Sequence, residues 1–375
     1  MISLMFQRTR GAIILPIPEK SIFSLFSSSV VPKSNTFILN YLTQTFGVSE
    51  SRVLSSLNVP HVETLDGPNS VVNLFKQYGL LDADIGKAVR VCPQILFLNA
   101  EKNLKPKLQF FRDLGFTGPQ MSPVLSKSST MLTHSLEKRI APSVDVLRGI
   151  LSTRDLLRVL GRCPWVIKED PALKLIPNIS FLKKTCHIDQ SQLLMLLVRQ
   201  PSLFVMRQSA LQDLAHRITE MGVSVDSRMF AQALYSFSCM SSETFKKKFD
   251  LLHSYGFSDE QTTLLFQKSP AVFRTSEKKL ISGLEFFMNK VGVNHCKLLR
   301  YPSSLMYSME KRVVPRYSVL EVLYSMKLLK KGDQLLSAIL LSEEEFLKKY
   351  VWKHIETVPE LLGAYKLKTE VVPLC

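Results

Sequence analysis

The sequence is poor in the residues that sheets, disulfide frameworks and membrane spans require. Glycine is sparse at 15 residues, tryptophan occurs twice, and alternating Val, Ile and Thr are scarce, which favours helices over a sheet. The six cysteines are scattered without a CxxC pair, so a reducing compartment fits and no disulfide framework is predicted. The apolar run Ala12–Ile17 is too short to span a bilayer, and we expect no membrane partner.

Motifs for catalysis are also absent from the sequence. It contains no GxxxxGK[ST], HExxH, GxSxG or GxGxxG, and its seven histidines do not cluster. The densest run of acids, Glu343–Glu345, is typical of the negatively charged start of a helix. We therefore expect a protein that is not an enzyme and has no cofactor, no catalytic residue and no metal site.

What the sequence does contain is a recurring phrase of a basic residue, one further residue and a proline, placed between two apolar, helix-like stretches. The prolines of this phrase are Pro93, Pro164, Pro201, Pro270 and Pro302, and Ser129 takes the place of one that is lost. The steps from Pro93 through Ser129 to Pro201 are 36, 35 and 37 residues, and the last step is 32. A fixed period of this kind is typical of a helical-repeat array.

A second landmark confirms the frame of the repeats. Another proline stands thirteen residues after the phrase position in four copies, at Pro106, Pro142, Pro177 and Pro315. Because an interior proline removes a helical hydrogen bond, each is predicted to bend its helix at the same place. Pro201 and Pro270 are 69 residues apart, so a degenerate copy without the phrase proline is expected near Leu234, where irregular geometry is predicted.

The chain divides into three parts by composition. Residues 1–34 contain four basic residues, one acid and many serines, which predicts an organelle transit peptide. Residues 35–365 are predicted to form one repeat solenoid, with Asp82–Val91 as the first helix of the first complete repeat and a helical pair, Glu343–Tyr350 and Ile355–Tyr365, closing the array. Residues 366–375 are predicted to be a loose tail.

The net charge of +16 is the second global feature, and it favours a polyanionic partner. Basic residues recur near the phrase proline, where equivalent positions of stacked repeats should share a face. We call these residues the first cation row: Arg90, Lys127, Arg162, Arg199, Lys268 and Arg300. An alternative interpretation is that these cations only stabilise the last turn of a helix, by roughly 0.3–1 kcal/mol each.

A second set of lysines stands at the start of the second helix in four of the copies. We call it the second cation row: Lys102, Lys138, Lys279 and Lys311. A cation at a helix start opposes the helix dipole, so helix stability does not explain it. Both rows are candidate nucleic-acid contacts, and simple solvation of surface lysines is the alternative for the second.

Several segments together resemble a known family. They are Val89–Leu96, Asn103–Phe111, Leu114–Phe116, Met240–Phe245, Phe346–Tyr350 and Pro359–Leu362. In this set and order the chain resembles plant-type members of the mitochondrial transcription termination factor family, the mTERF proteins. The resemblance implies a right-handed-type superhelical solenoid of about seven to eight triple-helical repeats, each with two α-helices and a short 3₁₀ turn, around a concave basic groove.

The resemblance also implies a function in organellar gene expression. We expect a monomer bound to double-stranded DNA in a mitochondrion, acting in transcription termination or regulation. Alternatives are a chloroplast location, and binding of structured RNA for intron splicing or rRNA maturation. A further alternative is a solenoid that binds a protein segment. The sequence lacks the regular aromatic platform of single-strand binders, which favours a duplex.

Overall fold

The structure is a computed structural model that describes residues 33–55, 64–330, 334–363 and 365. This part of the chain consists of helices and turns and contains no β-strand, so the predicted all-α repeat solenoid is confirmed. No helix within it is both long enough and apolar enough to cross a bilayer. The predicted transit peptide, apart from Lys33 and Ser34, and the predicted tail lie outside the described residues.

Two compact units make up the described chain, and they divide between Asp213 and Leu214, within a helix. The helices up to this division are α1 (Lys33–Phe46), α2 (Glu50–Ser55), α3 (Asp66–Gln77), α4 (Asp82–Val91), α5 (Lys105–Asp113), α6 (Gly118–Ser128), α7 (Ala141–Arg148), α8 (Thr153–Arg162), α9 (Leu175–Lys184), α10 (Gln190–Arg199) and α11 (Gln208–Glu220). The bounds of α4 are those that the sequence predicts.

Each repeat is built from a first helix, a 3₁₀ turn and a second helix. In one copy Ser152 caps α8 by accepting a hydrogen bond from the backbone N–H of Asp155 at 3.1 Å. Pro164 then opens the 3₁₀ turn Pro164–Ile167, since a first-turn residue needs no N–H donor. Further 3₁₀ turns at the phrase are Pro93–Phe97, Ser129–Thr133 and Pro201–Phe204.

The landmark prolines lie near the start of the second helices. Pro106 occupies the first turn of α5, directly after the π-helical turn Ala100–Leu104, which Asn99 caps through the backbone N–H of Lys102. The π-helical turn Leu136–Ile140 precedes Pro142 in the same way. Because these two prolines fall at the junction of a π and an α segment, a widened turn accommodates the ring and the missing N–H of each.

Consecutive repeats of the N-terminal unit stack through matching elements. Helix α4 packs on α6, α6 on α8 and α8 on α10, and the four 3₁₀ turns contact one another in the same order. The apolar stripe of the second helix fills the space beneath, with Leu104, Leu108 and Phe111 fully buried. The core is therefore continuous from repeat to repeat, as the period predicts.

The C-terminal unit repeats this plan with more irregularity. Its helices are α12 (Phe230–Ser238), α13 (Ser242–Ser254), α14 (Asp259–Lys268), α15 (Glu277–Leu284), α16 (His295–Arg300), α17 (Val314–Ser325), α18 (Gln334–Leu340) and α19 (Glu343–Phe346). Phrase turns follow α14 and α16, at Pro270–Arg274 and Pro302–Met306, and these two turns contact each other. Helix α14 packs on α16.

The two degenerate copies differ in outcome. At Ser129 the 3₁₀ turn still forms, and the Ser129 hydroxyl donates to the carbonyl oxygen of Ala88 at 2.8 Å, a bond that proline cannot make. The residue before it, Ser128, has φ −150°, close to the −145° of Cys92 before Pro93. At Leu234 the phrase turn is absent, because helix α12 runs through the position. The loss of the proline thus leaves the turn intact at Ser129, whereas the irregular geometry predicted near Leu234 is present.

The end of the array also departs from the predicted helical pair. Helix α19 continues as the π-helical turn Leu347–Val351 and the 3₁₀ turn Trp352–His354, so the first member of the pair is helical. Residues 355–360, predicted as helix, form turns and an unstructured residue instead, and helix resumes at 361–363. Pro359 lies in this stretch, where it cannot supply an N–H to a helix.

Candidate nucleic-acid interface

All six members of the first cation row are exposed at the ends of first helices. In the N-terminal unit three of them reach backbone carbonyls at the end of a neighbouring first helix. Lys127 Nζ donates to Gly161 O at 3.1 Å, Arg162 Nη1 to Val198 O at 3.3 Å, and Arg90 Nη1 to Phe46 O at 2.7 Å. These side chains therefore bind one repeat to the next.

Two of these bonds connect successive members of the row. Gly161 directly precedes Arg162, and Val198 directly precedes Arg199, so the acceptors of Lys127 and Arg162 each lie beside the next cation of the row. The last carbonyls of a helix have no partner within it and carry partial negative charge. Their attraction for a cation explains the position of these basic residues without any ligand. This agrees with the alternative interpretation, in which the cations stabilise helix ends.

One further member of this arrangement escaped the sequence analysis. Arg52, at the end of the short helix α2, donates from Nη2 to the carbonyl oxygen of Val91 at 3.2 Å. It stands before the first phrase proline and so has no phrase of its own. The only sequence signal was a basic residue in the last turn of a helix about one repeat before Arg90.

The C-terminal unit uses the row differently. Lys268 ends α14 and Arg300 ends α16, and since these helices pack together the two cations lie at neighbouring helix ends. Within the described residues neither side chain makes a hydrogen bond or an ion pair. The guanidinium carbon of Arg300 lies 6.0 Å from the ring centroid of Tyr301. These two cations are therefore available to an anionic ligand.

The second cation row lies at helix starts as predicted. The backbone N–H of each of its lysines donates to the capping residue three positions earlier, at Asn99, Ser135, Ser276 and Ser308. Lys102, Lys138 and Lys311 are exposed, whereas Lys279 is half-buried. Lys279 Nζ donates to the carbonyl oxygen of Met306 at 2.5 Å, which gives this lysine a structural role.

A row of buried hydrogen-bond donors was missed by the sequence analysis. All are buried, and we call them the buried donors: Lys107, Ser143, Asn178, Lys248 and Arg316. Four of them directly follow a landmark proline. Lys248 occupies the equivalent position in the copy at Leu234. Lys107 Nζ donates to Leu132 O at 2.5 Å, and Asn178 Nδ2 to Met206 O at 2.9 Å. Each acceptor lies in, or just after, the phrase turn of the next repeat or the segment that replaces it.

The buried donors explain how the repeats satisfy their polar groups. A 3₁₀ turn leaves carbonyl oxygens without partners, and leaving such groups unpaired in a core costs about 1–3 kcal/mol each. Burial lowers the pKa of the ammonium groups of Lys107 and Lys248 from their ordinary value. These side chains are occupied within the protein and are not candidate ligand contacts.

Arg316 is the most fully engaged of the buried donors. It is 0% exposed and donates to Ala338 O at 2.8 Å, to Leu341 O at 2.7 Å and to Glu343 Oε2 at 3.0 Å. Burial alone would raise the pKa of Glu343, but hydrogen bonds from Tyr365 and Arg316 outweigh it and hold that pKa below its ordinary value. This cluster fastens the last described helices to α17.

Within the described residues no three His, Cys, Asp or Glu side chains come together in a way that could bind a metal ion. Cys186 is buried, and burial raises the pKa of its thiol to about 12, which disfavours the reactive thiolate. The polar side chains that gather at repeat positions are therefore the two cation rows and the buried donors.

Stacked helix–turn–helix repeats with a cation at one repeated position define an all-α helical-repeat protein. The mTERF family model matches residues 30–251 and 231–347, which together are most of the chain. The chain belongs to the mTERF family.

Two curated relatives come from Arabidopsis thaliana. Transcription termination factor MTERF8, chloroplastic, is 24% identical over 322 residues, covering 84% of this chain and 63% of the relative. Transcription termination factor MTERF15, mitochondrial, is 23% identical over 318 residues, covering 82% of this chain and 62% of the relative. The chain thus spans less than two thirds of the length of either relative. One relative is named for each organelle.

Proposed function

We propose that this chain is a non-catalytic nucleic-acid-binding protein that regulates gene expression in an organelle, with double-stranded DNA as its first ligand. The observation that carries the proposal is the pair of exposed cations, Lys268 and Arg300, at equivalent positions on packed helices and without partners in the described chain. Packed helices lie about 8–10 Å apart, a separation at which two cations can bind phosphates of one backbone.

The family and the relatives support the regulatory part of the proposal. Both relatives are named as transcription termination factors, and their names place them in a chloroplast and in a mitochondrion. By analogy we propose transcription termination or regulation in one of these organelles, the mitochondrion first. Binding of structured RNA, in splicing or rRNA maturation, is the second candidate, since cations that bind phosphates serve RNA as well as DNA.

The preference for a duplex rests on where the aromatic rings lie. Within the described residues the Phe rings are mostly in the core, and Phe37 and Trp352 are the exposed large aromatic side chains. A binder of single strands would display a regular row of such rings for base stacking. A surface that offers cations but no regular set of exposed aromatic rings is better suited to the phosphate backbone of a duplex.

Fluorescence anisotropy with the full chain tests the proposal. Labelled duplex DNA, a structured RNA of matched length and a single strand are titrated across a salt series. Tight binding with a steep loss of affinity at higher salt supports nucleic acid as the ligand, because each bound phosphate releases counterions. Weak binding of all three nucleic acids, with little salt dependence, would contradict the proposal and favour the solenoid that binds a protein segment.

The cellular role is tested by crosslinking and immunoprecipitation of the tagged protein from isolated organelles. Bound DNA and bound RNA are sequenced in parallel. Enrichment at discrete DNA sites near transcript ends supports termination. Enrichment on intron or ribosomal RNA, with DNA at background, replaces the first candidate by the second.

A further inference from the structure

A cavity of about 650 Å³ opens in the C-terminal unit beside the end of the first cation row. Helices α16, α17 and α18 surround it, together with the π-helical turn Glu285–Lys290. The buried side chains of Leu335 and Leu336 form part of its wall. Its volume falls in the range of about 300–1,000 Å³ that is usual for small-molecule sites.

The lining of this cavity is cationic. Among the described residues, its lining includes the cations Lys290, Lys297 and Arg300 and the carboxylate of Glu321. Burial first, and the neighbouring Glu321 carboxylate second, raise the pKa of Tyr317 to about 12, so that its hydroxyl stays neutral. The described lining therefore offers an anionic ligand two cations, Lys290 and Arg300.

The cavity also pairs cations with aromatic rings. The guanidinium carbon of Arg300 lies 6.0 Å from the ring centroid of Tyr301, and Lys290 Nζ lies 6.0 Å from that of Tyr317. Both tyrosines are half-buried and line the cavity. Tyr301 occupies the middle of the phrase, where other copies have Cys92, Cys163, Gln200 or Ser269. An aromatic ring at this position is thus particular to the copy that borders the cavity.

We infer that this cavity binds a nucleotide, with the phosphate held by Lys290 and Arg300 and the base stacked on Tyr301 or Tyr317. A nucleotide combines an anion with a flat aromatic group, and base stacking on a tyrosine ring is favourable for every base. Two sources have this chemistry, a free nucleotide and the phosphorylated end of a strand. The second source rests on the proposed function, since that strand would also contact the first cation row.

Calorimetric titration of the full chain with adenosine 5′-monophosphate tests the inference. We expect binding of the nucleotide, and binding about tenfold weaker or less for adenosine and for inorganic phosphate, each of which lacks one half of the recognised chemistry. Tyr301→Leu and Lys290→Gln should each weaken nucleotide binding about tenfold. A circular-dichroism melt of each variant establishes that it folds. The matched control is Lys184→Gln, an exposed lysine outside the cavity.

Competition with short single strands separates the two sources. Displacement of the nucleotide by a 5′-phosphorylated strand, but not by the 5′-hydroxyl strand, identifies a strand end; binding of the free nucleotide alone identifies a small-molecule site. The inference is overturned if the chain does not bind the nucleotide. It is also overturned if the Tyr301→Leu and Lys290→Gln variants fold and bind the nucleotide as tightly as the wild type. Duplex affinity measured on the same variants distinguishes the two proposals, because neither substitution removes a member of the first cation row.

Discussion

In the N-terminal unit Arg90, Lys127 and Arg162 donate to carbonyls of the adjacent repeat, whereas in the C-terminal unit Lys268 and Arg300 donate to no group of the described chain. All five occupy equivalent or nearly equivalent sequence positions. Three members of the row thus connect neighbouring repeats, and two remain open to a ligand. Repetition of a residue type in sequence therefore does not establish repetition of its role.

The buried donors show the reverse relation, since different residue types share one role. An ammonium, an amide and a guanidinium, from Lys107, Asn178 and Arg316, all donate to carbonyls in or after the phrase turn of the next repeat, or in the segment that replaces it. The position is conserved within this chain by geometry rather than by residue identity. The contribution of this position to stability can therefore be compared between the two units by substituting the buried donor in each.

The largest effect is expected from Arg316→Met in the C-terminal unit. It removes the donor to Ala338, Leu341 and Glu343 and leaves buried carbonyls unpaired, which should lower the free energy of unfolding by about 3 kcal/mol. Asn178→Leu in the N-terminal unit should cost only about 1 kcal/mol, because it removes a neutral amide that binds backbone carbonyls, whereas Arg316→Met also deprives the Glu343 carboxylate of its cation. Urea denaturation measures both; equal losses would contradict this ranking.

The next effect concerns binding, and it tests the comparison directly. Lys268→Glu combined with Arg300→Glu should weaken duplex binding about fiftyfold at 0.1 M salt and reduce the salt slope by about 2, if each cation neutralises one phosphate. Lys127→Glu combined with Arg162→Glu should weaken it less, because their side chains are partly committed to carbonyls. Anisotropy titrations at several salt concentrations measure both.

A matched control is available in the same chain. Lys183→Glu with Lys184→Glu makes the same change of charge at exposed sites in the last turn of α9, so the loss of helix-dipole stabilisation is comparable. We expect a small change of affinity for this pair. If it weakens binding as much as the Lys268 and Arg300 pair does, total charge and not the first cation row determines binding.

A smaller effect is expected on stability when the same cations are truncated. Lys127→Ala combined with Arg162→Ala should lower the free energy of unfolding by about 1–2 kcal/mol, since two hydrogen bonds between repeats are lost. Lys268→Ala combined with Arg300→Ala should lower it by less, because these two side chains make no such bond within the described residues and only their stabilisation of the helix ends is lost. Hydrogen exchange near residues 161–163 and 198–200 provides a local measurement. Equal destabilisation by both pairs would remove the distinction between the units.

The elements of the fold were largely predictable because their signals are local. Helix α4 follows from its acids, its periodicity and Pro93, and Gly115 and Gly256 end second helices with φ of +108° and +82°, a region that glycine adopts readily. The phrase turn at Ser129 was not predictable from its lost proline. A serine hydroxyl restores the turn through a carbonyl 41 residues earlier, and that contact exists only once the repeats have stacked.

The partners of the cations were beyond sequence reasoning for the same reason. Lys127 and Gly161 are 34 residues apart, and Arg162 and Val198 are 36 apart, so each bond depends on the stacking of neighbouring repeats. Lys107 falls within an amphipathic helix, where a lysine is ordinarily assigned to solvent, yet it is only 6% exposed. Its position directly after Pro106, repeated in other copies, was the one signal that could have revealed its role.

The smallest effect is a pH dependence that tests whether the buried lysines behave alike in both units. Burial lowers the pKa of Lys107 and of Lys248, so between the folded value and the unfolded value of about 10.4 the unfolded chain binds more protons. These lysines therefore make the free energy of unfolding rise with pH across that window. Lys107→Met, in the N-terminal unit, and Lys248→Met, in the C-terminal unit, each remove one such contribution.

Other groups titrate over the same range, so the difference between wild type and each variant is the quantity to follow. The thiol of Cys186, with its pKa raised to about 12, acts in the opposite direction: it stays protonated when folded and loses its proton near 8.5 when unfolded. Subtraction of each variant's urea-denaturation profile cancels this term. We expect the wild type to gain stability relative to both variants as the pH rises from the lowered folded pKa of these lysines to the unfolded value of about 10.4. If the stability difference between the wild type and Lys248→Met does not change with pH, but that for Lys107→Met does, the two units bury their lysines in different environments. If neither difference changes with pH, neither ammonium is desolvated on folding.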